Sequence, residues 1–160
     1  MTKTIALAAG AVALLAPLGA VAPTAAAAAT TGAPEVAWAA NNVRVAGDSA
    51  FVTAKYRCAP ETEMTHLWVS VKQGGAGLEG EGSGGRAQSW YDTNVTTGGE
   101  YEIPVTCNGS WQHQTVEVRR YDGKALLERG PAYVQFCLYT LTGEEFLSAS
   151  DNSWAKVKTA

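Results

Sequence analysis

Hydrophobic and polar residues alternate along most of this chain. In "SAFVTAKYRC", Val52, Ala54, Tyr56 and Cys58 fall on one side while Thr53, Lys55 and Arg57 fall on the other. That is the two-residue period of a half-buried strand. "THLWVSVKQ" repeats it, with Leu67, Val69 and Val71 on one face. Further strand-like runs are "NNVRVAG", "AQSWYDTNV", "EYEIPVT", "HQTVEVRRY", "AYVQFCLYTL" and "SWAKVK". Turn residues separate them: Gly47-Asp48, Gly98-Gly99, Asn108-Gly109, Asp122-Gly123, Gly130-Pro131 and Thr142-Gly143. No segment carries the period of an amphipathic helix, and no internal repeat is present. The expected fold is therefore all-β: an Ig-like antiparallel β-sandwich of about 7–9 short strands with one disulfide. The order Cys58, Trp68, Cys107 echoes the immunoglobulin pattern, although Cys107 stands at a turn.

The first residues break this pattern. Lys3 forms a short positive region, Ile5 to Leu18 is apolar and interrupted by Pro17, and Ala-x-Ala frames follow between Ala25 and Ala29. Residues 1–29 read as a secretory signal peptide, too short in its apolar core to span a membrane. Without a twin arginine, the Sec route is expected. Residues 30–35 read as a loose leader and 36–160 as one β domain. No apolar anchor closes the chain, so the mature protein is expected to be secreted and extracellular. The formal charge is −3 with no basic block. Nucleic acid and anionic membrane are thus poor partners, and an extracellular glycan or protein is the expected one.

Cys58, Cys107 and Cys137 allow three single pairings. Cys58 and Cys107 each end a strand-like run, which favours joining them; Cys107–Cys137 is the competing pair. Cys107 beside His113 suggests a thiol nucleophile, but an exported protein oxidises such a thiol and no helix start is at hand to lower its pKa. His66, His113 and an odd cysteine give no close-spaced metal set, so no metal and no cofactor are expected. Gly75-x-Gly77-x-x-Gly80 lies in "GGAGLEGEGSGG", where glycine and not a helix follows and Glu79 and Glu81 would repel phosphate. That stretch reads as a flexible loop. Asn108-Gly109 predicts a tight hairpin between "EYEIPVT" and "HQTVEV".

The candidate binding face lies on the two strands that flank the Gly-rich loop. A loop centred near Gly80 places His66 opposite Asn94, Trp68 opposite Asp92 and Ser70 opposite Trp90. His66, Trp68, Trp90, Asp92 and Asn94 then form a platform of indoles and polar groups suited to a sugar or peptide. Ser70, His66 and Asp92 share that face, but a mid-strand serine lacks the sharp turn and amides of a hydrolytic nucleophile. The expected function is a non-catalytic binding module. The first alternative is an exported inhibitor of an extracellular hydrolase, presenting a loop such as Arg119 to Lys124; the second is a minor extracellular enzyme, disfavoured by the missing nucleophile and metal signals.

"FVTAKYRCAP", "HLWVSVKQ", "SWYDTN", "VTCNG…HQTVEV" and "AYVQFCL" resemble the small exported β-sandwich domains of actinobacteria that follow an Ala-rich signal peptide. The resemblance implies an extracellular β-sandwich with a Tyr-x-Cys to Val-Thr-Cys disulfide, matching Cys58 and Cys107. It implies no catalytic residues, and it leaves Cys137 unexplained.

Overall fold

A computed structural model describes residues 33–39, 41–60, 65–80, 82–97, 103, 105–142 and 145–159. The expected signal peptide and most of the leader lie outside them, as do the turn glycines 98, 99 and 143. The strands are β1 (Glu35–Ala39), β2 (Asn42–Ala46), β3 (Ser49–Arg57), β4 (Thr65–Gln73), β5 (Ser89–Asp92), β6 (Gln112–Arg120), β7 (Gly130–Thr142) and β8 (Glu145–Thr159). One helical turn, α1 (Thr93–Thr96), follows β5. No helix among the described residues is long and apolar enough to cross a membrane.

The alternation read from the sequence sorts side chains between an interior and an exterior. Along β3, Ala50, Val52, Ala54 and Tyr56 are buried and the residues between them are partly exposed. Val43, Val69, Val71, Val118, Val134, Phe136, Leu138 and Val157 join them in one core. Burying each such side chain contributes about 1.5–3 kcal/mol. Tyr56 stacks on Phe136 across the interior, with ring centroids 6.3 Å apart. Its hydroxyl donates to Gln114 Oε1 at 2.6 Å.

The strands form a ring where two facing sheets of an Ig-like sandwich were expected. β3 gives one edge to β6 over Ser49–Tyr56 and the other to β2 and then β1. From β6 the ladder continues through β5, β4, β7 and β8, and β8 pairs with β2 in parallel. The result is a closed barrel of seven strands, with β1 as an extra strand beside β3. Closure removes the sheet edges that a sandwich must protect. It depends on β2 meeting β8 near opposite ends of the chain, a pairing that no local alternation encodes.

The Cys58–Cys107 disulfide is present, and Cys137 is a partly buried free thiol. Among the described residues, Asn108-Gly109 does not join two paired strands. Of "EYEIPVT", Glu100, Tyr101, Glu102 and Pro104 lie outside the described residues, and Ile103 and Val105 pack on the core without joining a strand. β6 takes β3 and β5 as its neighbours instead. Asn108 closes a side-chain turn, its Oδ1 accepting from Ser110 N–H at 2.9 Å and from Gln112 Nε2 at 2.8 Å. The disulfide and the Gly109 N–H, which donates to Cys58 O at 2.9 Å, hold this turn at the end of β3.

Candidate functional site

β4 and β5 pair antiparallel, with Ser70 opposite Asp92 and Lys72 opposite Trp90. The expected register had Trp68 opposite Asp92, so the ladder is displaced by two residues. An even displacement leaves every side chain on its original face. Trp68, Ser70, Lys72, Trp90 and Asp92 therefore do share the outer face. Asn94 does not stand opposite His66, because the chain turns into α1 after Asp92. His66 stacks instead on Tyr139 of β7, centroids 5.2 Å apart.

These groups are engaged with one another. Asp92 Oδ1 accepts from the Asn94 amide at 2.9 Å and from Trp68 Nε1 at 3.0 Å, so the carboxylate caps α1. Asp92 is only 1% exposed, and its Oδ2 has no hydrogen-bond partner among the described residues. Burial pushes the carboxyl up from its ordinary range, against the opposing pull of the Asn94 amide, Trp68, Ser70 and Trp90. Trp90 Nε1 donates to Ser70 Oγ at 3.0 Å, and Ser70 is fully buried. A Ser70–His66–Asp92 hydrolytic relay is not assembled.

The Gly-rich segment, expected to be a flexible loop, folds back onto this face. A short 3₁₀ turn at Ser83–Gly85 sits in it. Lys72 Nζ donates to Ser83 Oγ at 2.7 Å and also to Gln135 Oε1, and Ser83 Oγ donates to Leu78 O at 2.7 Å. Lys72 is itself buried, which lowers its pKa; the Asp92 charge acts in the opposite sense. Leu78, Ala87 and Tyr133 form a small apolar cluster with Trp90 packed against it. Tyr121 stacks on Trp90 with centroids 3.8 Å apart, and Gly84 lies against the same indole from the other side. The protein's own loop thus covers part of the face expected to receive a ligand. A recess of about 330 Å³ remains between Trp68, Lys72, Gln135, Trp90 and glycines 82 and 84.

A second outer face, formed by β1, β3 and β6, keeps its aromatic groups open. A break in the β1 ladder between Val36 and Trp38 lets Val36 pack on the core while Trp38 turns outward. Trp38 pairs with Lys55, and Lys55 with His113, so the three stand in one row across the strands. Trp38 meets His113 edge-on at 5.7 Å. Trp111, placed by the disulfide-anchored turn, lies against Arg57 at 4.8 Å and Lys55 at 5.3 Å. Trp38 and Trp111 remain 38% and 40% exposed. Arg57 also pairs with Glu35 at 2.7 Å.

The outward positions of β3 continue through Thr53 and Phe51 to a recess of about 390 Å³. Trp38, Asn41, Asn42, Arg44, Phe51, Thr53 and Lys158 line it. Arg44 stands over the Phe51 ring at 5.6 Å and directly opposite Lys158 in the parallel ladder. The sequence carried a signal for this face in the outward Thr53, Lys55 and Arg57. That signal is weak by itself, because Trp38 and Trp111 reach the face from β1 and from the turn after Cys107, far from β3 in sequence.

Cys107 is oxidised, so it is not a nucleophile for His113. Among the described residues no three His, Cys, Asp or Glu side chains gather as a metal set. In the Arg119 to Lys124 loop, Arg120 is tied to Asp48 at 2.7 Å and to the Lys124 carbonyl. No family model and no curated protein matches the chain. Among solved structures it is similar to the C-terminal domain of wzt, at 11% identity over 81% of this chain and 75% of that one, with a TM-score of 0.46. That likeness is too distant to bear on function.

Proposed function

We propose that this protein is an exported, non-catalytic binding module whose ligand is an extracellular glycan seated on the outer face of β1, β3 and β6. One observation carries the reading: two half-open indoles, Trp38 and Trp111, are held beside Lys55, Arg57 and His113 by the strand ladder and a disulfide. Aromatic faces supply area to sugar rings, and the cations and imidazole supply direction. Trp38 and Trp111 flank β3 from either side, a lateral span of about two strand spacings or roughly 10 Å. A linear saccharide fits that span better than a compact small molecule. The β4–β5 face fits this role less well, since its indole N–H groups and the faces of Trp90 already have partners. In this reading residues 1–29 direct export, as in the exported domains that the sequence resembles.

The test is a glycan array of neutral and acidic polysaccharides probed with the wild type, Trp111→Ala and Trp154→Ala. Trp154 is 52% exposed on β8 and serves as the matched indole outside the face. Saccharide binding is expected for the wild type and for Trp154→Ala, and loss is expected for Trp111→Ala. Absence of all saccharide binding, or loss with Trp154→Ala alone, would overturn the reading.

A further inference from the structure

The recess between Trp38, Arg44, Phe51 and Lys158 is electrostatically incomplete. Arg44 and Lys158 face each other across the β2–β8 ladder, and like charges so placed destabilise a sheet. None of the seven lining residues is acidic. Among the described residues, no carboxylate forms an ion pair with Arg44, Lys55, Lys156 or Lys158. Lys156 is the outward neighbour of Lys158, and it pairs with Asn42 at the rim of the recess. Yet the chain as a whole is acidic, with a formal charge of −3. Arg44, Lys55, Lys156 and Lys158 therefore form one local group of cations without a carboxylate partner among the described residues, where an anion would complete the site.

From this we infer that the ligand of the face is an acidic polysaccharide, and that Arg44 and Lys158 together receive a carboxylate of one sugar while the Trp38 indole lies against its ring. The inference rests on the glycan-binding reading above and adds the ligand's charge and the residues that select it. Arg44 offers a planar fork matched to a carboxylate, and Lys158 a mobile point charge beside it. Lys55, two outward positions along β3 from Phe51 and beside Trp38, stands ready for the acidic group of a further sugar. A nucleic acid strand fits less well. It carries a phosphate at every link, and Glu35 and Glu117 border the cationic row. A glycan with spaced carboxylates avoids them.

The experiment compares polygalacturonate with its fully methyl-esterified form, which has the same backbone and no charge. Hyaluronate, dextran and oligo(dT) complete the set, titrated by calorimetry against the full chain and its variants. Binding to one or both acidic polymers is expected, with the esterified form at least about tenfold weaker. Arg44→Gln and Lys158→Gln should each weaken acidic-polymer binding about tenfold without lowering the melting temperature. Trp38→Ala should weaken it about threefold to tenfold. Equal binding of the esterified polymer or dextran, lost with Trp111→Ala, would overturn the acidic class while leaving the glycan face standing. No binding to either acidic polymer would overturn the inference, as would acidic binding indifferent to Arg44→Gln and Lys158→Gln. Preference for oligo(dT) would overturn it in favour of a nucleic acid ligand.

Discussion

A Cβ added to Gly84 would lie 2.6 Å from Cδ2 and Cζ2 of Trp90. No side chain larger than hydrogen fits between the loop backbone and that indole. Gly84→Ala must therefore move either the Ser83–Gly85 turn or the Trp90 ring, which Tyr121 holds from the other side. Overpacking of this kind costs about 1–3 kcal/mol. Gly85 is a built-in control, because nothing lies within 4 Å of its imagined Cβ. Urea unfolding should show Gly84→Ala destabilised, with a red-shifted tryptophan emission, and Gly85→Ala close to the wild type. Equal stability of the two variants would remove the case for a loop fixed on Trp90.

Asp92 makes stability depend on pH in a stated direction. Burial raises its folded pKa above the unfolded value, so the native state takes up the proton first as pH falls. Its contribution is thus most favourable below the ordinary carboxylate range and is lost as pH rises through the folded pKa. Asp92→Asn keeps an oxygen for Trp68 and the Asn94 amide but removes the buried charge. The wild type should lose stability relative to Asp92→Asn as pH rises from the ordinary carboxylate range through the raised folded pKa. Urea titrations at stepped pH measure this, and a trend of opposite sign would show that hydrogen bonding outweighs burial at this carboxylate.

These two residues also show what the sequence could and could not reveal. Alternation identified the buried faces of β3 and β4, and it put Trp68, Trp90 and Asp92 on one side. That assignment survived a two-residue error in register because the error was even. The Asp92-Thr93-Asn94 run held a capping signal that would have ended β5 at Asp92. Other features had no local signature. The parallel joining of β2 to β8 is set by how the whole ring closes, and a ladder break hides β1 from a period-2 reading. Asn108-Gly109 carried a strong hairpin signal, but the Cys58–Cys107 bond places the turn at β3 and gives β6 other neighbours. The outer face of β1, β3 and β6 likewise has no local signature, because its residues come from strands far apart in the chain.

The disulfide should matter to the fold and the face together. Cys58 and Cys107 are 49 residues apart, and closing a loop of that length contributes about 4 kcal/mol in the chain-entropy picture. The Cys58→Ser, Cys107→Ser double variant should lose stability of that order in urea. In its remaining native population Trp111 loses the anchor that sets it beside Arg57 and Lys55, so acrylamide quenching of tryptophan should increase. Cys137→Ser should leave the oxidised pairing unchanged in non-reducing peptide maps. Fragments joined through Cys137 in the wild type would contradict the assigned bond.

The pair Arg44 and Lys158 sets the last prediction, which concerns the unliganded protein. Facing like charges with no carboxylate between them weaken the ladder that closes the barrel, by roughly 0.2–1 kcal/mol for such a cross-strand pair. Lys158→Gln should therefore raise the melting temperature slightly at low salt, and the gain should shrink as salt screens the repulsion. Lys156→Gln, whose neighbour across the ladder is the neutral Asn42, should gain less. A site kept for binding an anion predicts this opposition, in which the more stable variant is the poorer binder. Thermal unfolding at about 20 mM and about 500 mM salt measures the repulsion directly. If Lys158→Gln is no more stable than Lys156→Gln at low salt, the two cations do not repel appreciably, and the recess loses its claim to be electrostatically incomplete.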